Sequence, residues 1–363
     1  MKFHISLSAT HPRSYRPRRS LFGIATFVGS LLAFIANDAQ AQHADVLVQV
    51  VDGRLATGSA DFDSGEWTLG KRVYSAEFSS IFSVNDPGFN ALASGSPSLP
   101  AGASALPGST SLRFDFLPLK INGTLQNLFY WNGNGATEGE VAFGALPGPD
   151  YRLEVYGRDN IVGVDGSPSF VPGDVINNTG SNGSLHTHRF FYLDSGNQNA
   201  TTTPADGIYL MTMRLRMTGV DAAQPAFFVF GTPGSTLAAL RAAETWVTNR
   251  EDELAPDFDA DFNGDYVVDG ADFLIWQRNL GASNALLAAG DADRDGVVGA
   301  GDLAVWQEEF ELSLESYPGA QTASPANIAT HAVPEPGIAV PGVFAFVAVL
   351  TRTKGFFGIR SAQ

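Results

Sequence analysis

The sequence predicts a mainly β protein: an antiparallel β-sandwich front domain followed by a small α domain of paired loop–helix repeats. Three observations lead there. Of 363 residues, 39 are Gly and 20 are Pro while only 17% are charged, a mixture that suits strands and turns and not a helical bundle. Over residues 208–217 the apolar Tyr209, Met211, Met213, Leu215 and Met217 alternate with Thr212, Arg214 and Arg216, the period of a strand with one buried and one wet face. The segment 261–277 is repeated thirty residues on by 291–307.

Composition also excludes functions. A net charge of −16 argues against nucleic acid as a partner, since that role needs basic patches. The absence of cysteine removes disulfides, thiolate-bound zinc and cysteine nucleophiles.

The chain opens with Lys2, Arg13, Arg16, Arg18 and Arg19, then a mostly apolar run over 21–36, then Ala39-Gln40-Ala41. A basic region, an apolar stretch short of the ~20 residues of a membrane span and a small-x-small cleavage site predict a secretory signal over 1–41, leaving Gln42 first.

Residues 42–247 form the expected β-sandwich domain. Strands are expected at 46–51, 111–116, 125–131, 151–156, 189–193, 208–217 and 226–230, with Gly/Pro-rich breaks such as Pro87-Gly88 and 94–108 between them. A short closing helix is expected over 237–247. On a strand, His186 and His188 point the same way, so both imidazoles can reach one transition metal; His43 and Asp45 are candidate further ligands. The bland alternative is a pair of surface histidines. If the domain bound extracellular polysaccharide, Tyr130, Trp131, Tyr156, Phe191 and Tyr192 would line the groove. No Gly-x-Ser-x-Gly elbow, phosphate loop or His-Glu-x-x-His helix is present. A glycoside hydrolase is the enzyme class left open; its carboxylate pair would be drawn from Glu138, Glu140, Asp150 and Glu154, roughly 5–9 Å apart.

An acidic linker over 248–258 leads to the repeat. Residues 251–302 carry thirteen acids against Arg278 and Arg294. In the first unit Asp261, Asn263, Asp265, the Val267 carbonyl, Asp269 and Asp272 occupy loop positions 1, 3, 5, 7, 9 and 12. In the second, Asp291, Asp293, Asp295, the Val297 carbonyl and Asp302 do so, with Gly299 at position 9 leaving a place for water. Such a ring of hard oxygens suits Ca2+, which takes six to eight of them, so two calcium ions are expected. Without a cation the carboxylates repel, so metal binding couples to folding. Each loop runs into a helix with one apolar face: Phe273, Trp276 and Leu280, then Leu303, Trp306 and Phe310. Val268 and Val298, both at position 8, are expected to pair in a small core.

On these residues, 259–312 resembles a type I dockerin, with Asp closing both loops and a Trp-Gln pair in both helices. Tyr266 stands where a Gly is usual. Gly270-Ala271 and Ala300-Gly301 stand where hydroxyl residues that grip a cohesin are usual. The resemblance implies calcium binding, a cohesin-like or other surface protein as partner and a distant link to polysaccharide-degrading assemblies.

A second linker, 313–332, precedes Val333-Pro334-Glu335-Pro336, an apolar run over 338–350 and Arg352, Lys354 and Arg360. Residues 333–363 resemble the PEP-CTERM sorting signal, which implies recognition by a membrane-embedded sorting protease. The front domain is faintly similar to the β-rich domains of exported proteins that carry this signal. Together these features predict an exported protein, outside the cell, on its surface or in the periplasm, with transient C-terminal membrane anchoring. Its expected role is non-catalytic: structural, adhesive or assembly-mediating. A carbohydrate-binding or polysaccharide-degrading protein and a periplasmic transition-metal binder are the alternatives.

Overall fold

A computed structural model describes residues 45–196, 203–255, 258–313, 316 and 319–322. The expected signal and sorting segments, and His43, lie outside them. Strands β1 (Asp45–Val51), β2 (Arg54–Asp61), β3 (Glu66–Leu69), β4 (Val73–Glu77), β5 (Ser83–Val84), β6 (Phe89–Ala91), β7 (Ala103–Ser104), β8 (Ser111–Phe116) and β9 (Leu119–Ile121) come first. They are followed by β10 (Thr124–Gln126), β11 (Leu128–Trp131), β12 (Arg152–Tyr156), β13 (Ile161–Val164), β14 (Val171–Asn178), β15 (Leu185–Thr187), β16 (Phe191–Asp194), β17 (Ile208–Arg216) and β18 (Ala226–Gly231). Helices α1 (Leu237–Thr248), α2 (Glu251–Leu254), α3 (Gly270–Asn279) and α4 (Ala300–Glu309) complete the chain.

The central sheet runs β14-β8-β17-β18-β4, and β11 shares the β8 edge of β17. A second sheet runs β15-β6-β1-β2-β3, with β7 on β1, and a third runs β13-β12-β16-β5. β9 and β10 form a separate hairpin. The expected all-antiparallel sandwich needs one correction: β6 lies parallel to β1 and β4 parallel to β18. The chain between the members of each pair is long enough for the crossover that a parallel neighbour needs.

β17 explains the layering. Tyr209, Met211, Met213 and Leu215 face the other two sheets, where they join Val46, Val48, Phe89, Leu153, Val155 and Phe191 in one core. Its opposite face was expected to be wet. Instead Ile208 and Leu210 pack with Phe227, Val229 and Phe129 against Ala239, Leu240, Ala243, Trp246 and Val247 of α1. The first half of β17 is therefore buried on both faces, and Thr212 is fully buried. Thr236 caps α1 by accepting from the Ala239 N–H at 3.1 Å. Among the described residues no helix is long and apolar enough to cross a membrane.

Both expected linkers contain structure. In 248–258, α2 forms and Leu254 and Ala255 join the core under α1. Buried Arg72 holds this turn, donating to the Pro225 carbonyl at 3.0 Å and pairing with Glu251 and Asp252. In 313–332, the chain returns to the front domain: Ala320 is buried and exchanges backbone bonds of 2.9 Å with Lys120 and Asn122. Gly319 permits this approach, because a Cβ there would lie 2.2 Å from the Lys120 carbonyl oxygen.

Trp246 is buried, packs edge-on against Phe143 at 5.5 Å, and its indole N–H has no acceptor. Trp246→Ala is expected to cost about 3–5 kcal/mol. Trp246→Phe, which removes the orphaned donor while keeping a ring, is expected to cost under about 1.5 kcal/mol. Urea unfolding midpoints measure both.

Candidate metal centre

The two acidic loops repeat one backbone design. Each has left-handed residues at positions 4 and 6: Gly264 and Tyr266 in the first (φ 77° and 67°), Arg294 and Gly296 in the second (φ 58° and 83°). The glycine has changed places between the repeats, and the other left-handed position carries a side chain.

Carboxylates at positions 1 and 12 hold this geometry. Asp261 accepts from the N–H groups of Gly264, Asp265 and Tyr266 at 2.8–3.0 Å. Asp272 accepts from Phe262, Asn263 and Asp269. In the second loop Asp291 accepts from Gly296, and Asp302 from Ala292, Asp293 and Gly299. All four carboxylates are buried, whereas Asn263, Asp265, Val267, Asp269, Asp293, Asp295 and Val297 are exposed. Asp269 also caps α3 by accepting from the Ala271 N–H.

In the second loop one oxygen each of Asp291, Asp293 and Asp302 lie within 4.8 Å of one another. The Asp291 Oδ1 is buried without a hydrogen-bond donor. An orphaned carboxylate oxygen beside two further carboxylates is a donor set for a hard cation, and calcium fits it. Gly301 leaves room for Asp293 as placed: a Cβ there would lie 1.9 Å from Asp293 Oδ2, the exposed end of a side chain that can turn away. Burial raises the Asp261 carboxyl to about 6, opposed by the Tyr266 N–H and helped by Asp272. Burial likewise raises Asp272 and Asp291. Asp295 turns its Oδ1 to the Val297 N–H, as Asp265 does to Val267.

The repeated tryptophans lock the two units reciprocally. Trp276 of α3 donates to the Gly299 carbonyl of the second loop at 2.8 Å, and Trp306 of α4 donates to the Asp269 carbonyl of the first at 3.0 Å. Phe273 stacks between them, 5.5 Å from Trp276 and 5.0 Å from Trp306. Each helix ends one residue before this position, so Leu280 and Phe310 are C-cap residues, exposed and not on the buried face as expected. Val268 and Val298 share the core, but their N–H groups bond to Leu312 and Ala282 and not to each other.

The module sits on the front domain through residues that sequence reasoning missed. Tyr266 is buried; the Arg214 guanidinium lies 4.3 Å from its ring centre and the Phe170 ring 5.4 Å away. Asp221 of the front domain accepts from the Leu287 N–H at 3.0 Å. The one signal in the sequence was Tyr266 itself, a large side chain where a glycine is usual.

The other candidates divide. The His186 and His188 rings meet with centres 5.3 Å apart, and Asp45 lies beside His188. The five aromatic candidates do not form one groove. Trp131 and Phe191 are core side chains, the latter packed on Phe228 and Phe230, so a sugar cannot reach them. Tyr130 donates to the Asp206 carbonyl. Tyr156 and Tyr192 do lie on one outward face. Of the acids, Glu138 pairs with Arg250, and Glu140 caps the turn at Ala136 and Thr137, both structural roles. Asp150 and Glu154 line a shallow depression with Asp194 and Arg152.

Residues 259–310 match the model of the dockerin type I domain. No curated protein matches the chain. The C-terminal unit is thus a dockerin-type calcium-binding module, a class that mediates assembly between proteins.

Two outcomes follow from this geometry. A carboxyl with a pKa near 6 is protonated at pH 5 and ionised at pH 7, so calcium affinity is expected to fall about tenfold between pH 7 and pH 5 in calorimetric titration. In EDTA the sign reverses. A group raised above its unfolded value stabilises below that value and loses this contribution as pH rises through about 6. Tyr266→Gly relieves about 1–2 kcal/mol of left-handed strain but removes a buried ring and its Arg214 contact, worth about 3 kcal/mol. The variant is expected to melt lower while still binding calcium; a higher melting temperature would discount the ring as the anchor.

Proposed function

We propose that the chain is an exported or cell-surface, non-catalytic protein whose dockerin-type module recruits another surface protein when calcium is bound. The observation that carries this reading is the module's buried, converging carboxylates. The proposed ligands are Asp261, Asn263, Asp265, the Val267 carbonyl, Asp269 and Asp272 for one ion. For a second ion they are Asp291, Asp293, Asp295, the Val297 carbonyl and Asp302. Bound calcium supplies positive charge that cancels their repulsion and sets the loops. Export rests on the basic–apolar–Ala-Gln-Ala pattern of 1–41, and sorting on the Pro-Glu-Pro segment of 333–363.

The seat on the front domain limits how a partner approaches. The Tyr266 side of the first loop is covered, whereas Leu274 in the middle of α3 and Leu280 and Phe310 at the ends of α3 and α4 are exposed. Gly270-Ala271 and Ala300-Gly301 carry no hydroxyl of the kind that grips a cohesin in related modules, so a partner of this chain meets a more apolar surface there.

A second reading, binding of an extracellular polysaccharide, is favoured by one feature. Tyr156 lies opposite Ile161, its N–H bonds to Phe190, and Glu154 lies opposite Tyr192. Tyr156, Ile161 and Phe190 are 38%, 54% and 53% exposed, an aromatic platform beside Glu154 and Asp194. Aromatic platforms of this kind stack on sugar rings.

Biolayer interferometry of the chain against purified cohesin domains, in calcium and in EDTA, tests the first reading. Binding in calcium and none in EDTA is expected; binding indifferent to EDTA, or none to any cohesin, would remove the cohesin partner. Titration with soluble polysaccharides tests the second, and loss of binding in Tyr156→Ala is its expected signature.

A further inference from the structure

We infer that Asp45, Asp86 and His188 form a binding site for a divalent transition metal of the zinc class, on the front domain and separate from the acidic loops. One donor atom from each lies within 4.8 Å of the others. Asp45, at the start of β1, is buried, and His188 and Asp86 come from the segments after β15 and before β6.

Hydrogen bonds assign the donor atoms. His188 Nδ1 faces the Asn85 carbonyl at 2.9 Å and Asp86 Oδ1 at 3.2 Å, both acceptors, so Nδ1 carries the proton and Asp86 orients the ring from the side away from Nε2. The neutral ring then has its lone pair on Nε2, which faces Asp45 Oδ2 at 3.8 Å. That distance is too long for a hydrogen bond. With bonds of about 2.0–2.2 Å, a tetrahedral zinc ion holds its ligands roughly 3.4 Å apart, so a closure of a few tenths of an ångström lets an ion bridge the pair.

Asp45 is held for this task. Its Oδ1 accepts from the Gly88 N–H at 2.6 Å and its Oδ2 from the Asn90 side-chain amide at 2.7 Å. Both donors are neutral, and among the described residues its one ion-pair partner is His188. A buried carboxylate without a fixed cation is costly, and a metal removes that cost. Gly88 leaves the space: a Cβ there would lie 2.7 Å from His188 Cε1 and 2.8 Å from Asp45 Oδ2. Asp45 and the His188 imidazole hold the ion, Asp86 adds negative charge behind the ring, and the imidazole selects a transition metal over calcium. His186 has a different role. Because Asn90 donates to Asp45, its oxygen accepts from His186 Nδ1, so His186 orients Asn90 and through it Asp45.

Zinc titration of the full chain in excess calcium, which occupies the oxygen-only loops, is the test. One zinc ion per chain is expected. His188→Ala and Asp45→Asn should weaken it by about 10–100-fold or more, and His186→Ala by less. Circular dichroism checks that each variant is folded. Because a variant can fail to fold, 15N-histidine NMR of the unaltered chain provides a second readout: zinc should shift the His188 Nε2 resonance. Zinc that excess calcium displaces, an unmoved His188 resonance, or undiminished affinity in folded His188→Ala would overturn the inference.

Discussion

Four buried carboxylates organise the C-terminal half of this protein. Asp261, Asp272, Asp291 and Asp302 are acceptor-only groups placed where water scarcely reaches. Backbone N–H groups satisfy most of their oxygens and in doing so wind each loop. Those donors are neutral and leave the negative charge in place, and Asp291 Oδ1 has no donor at all. Arg214 offsets part of the charge beside the first loop, and the remaining carboxylates are arranged to receive a cation. Everything else in the module follows from the loops holding their shape: helices start at the capped Asp269 and Gly299, and Trp276 and Trp306 reach across to the opposite loop.

The module is an integrated part of the molecule and not a bead on a string. Tyr266 pays a backbone strain at φ 67° and in return places its ring under Arg214. Asp221 caps Leu287 from the front domain, and the chain returns afterwards to dock Ala320 beside Ile121. The calcium site proposed for the first loop is thereby linked to a side chain anchored in the β domain. Elsewhere on the front domain, Asp45, Asp86 and His188 gather from distant parts of the chain. The two centres differ in donor chemistry, oxygen only against oxygen and nitrogen, and so in the metals they favour.

Much of this was legible in the sequence. The spacing of Asp261 through Asp272 and its echo thirty residues on identify the loops, because coordination dictates which positions carry oxygen. Alternation identified β17 and its inward side chains. What failed were statements about the second side of an element. Thr212 and Leu210 are buried because α1 covers them, and Arg214 is covered by the module; periodicity reports one face and is silent on what a later segment lays over the other. Trp131 and Phe191 looked available to a ligand because aromatic residues serve cores and binding platforms alike. The segments 248–258 and 313–332 looked like linkers because their anchors, Leu254 with Ala255 and Ala320, are too few to show a period.

By itself, then, the sequence determined the mainly β class and the paired loops, because these depend on patterns within one short stretch of chain. Tertiary structure alone decided that the front domain and the module share an interface, that β6 and β4 run parallel to their neighbours, and that Asp45 and Asp86 meet His188. These depend on contacts between residues far apart in the chain, and no local spacing encodes which distant segments pack together.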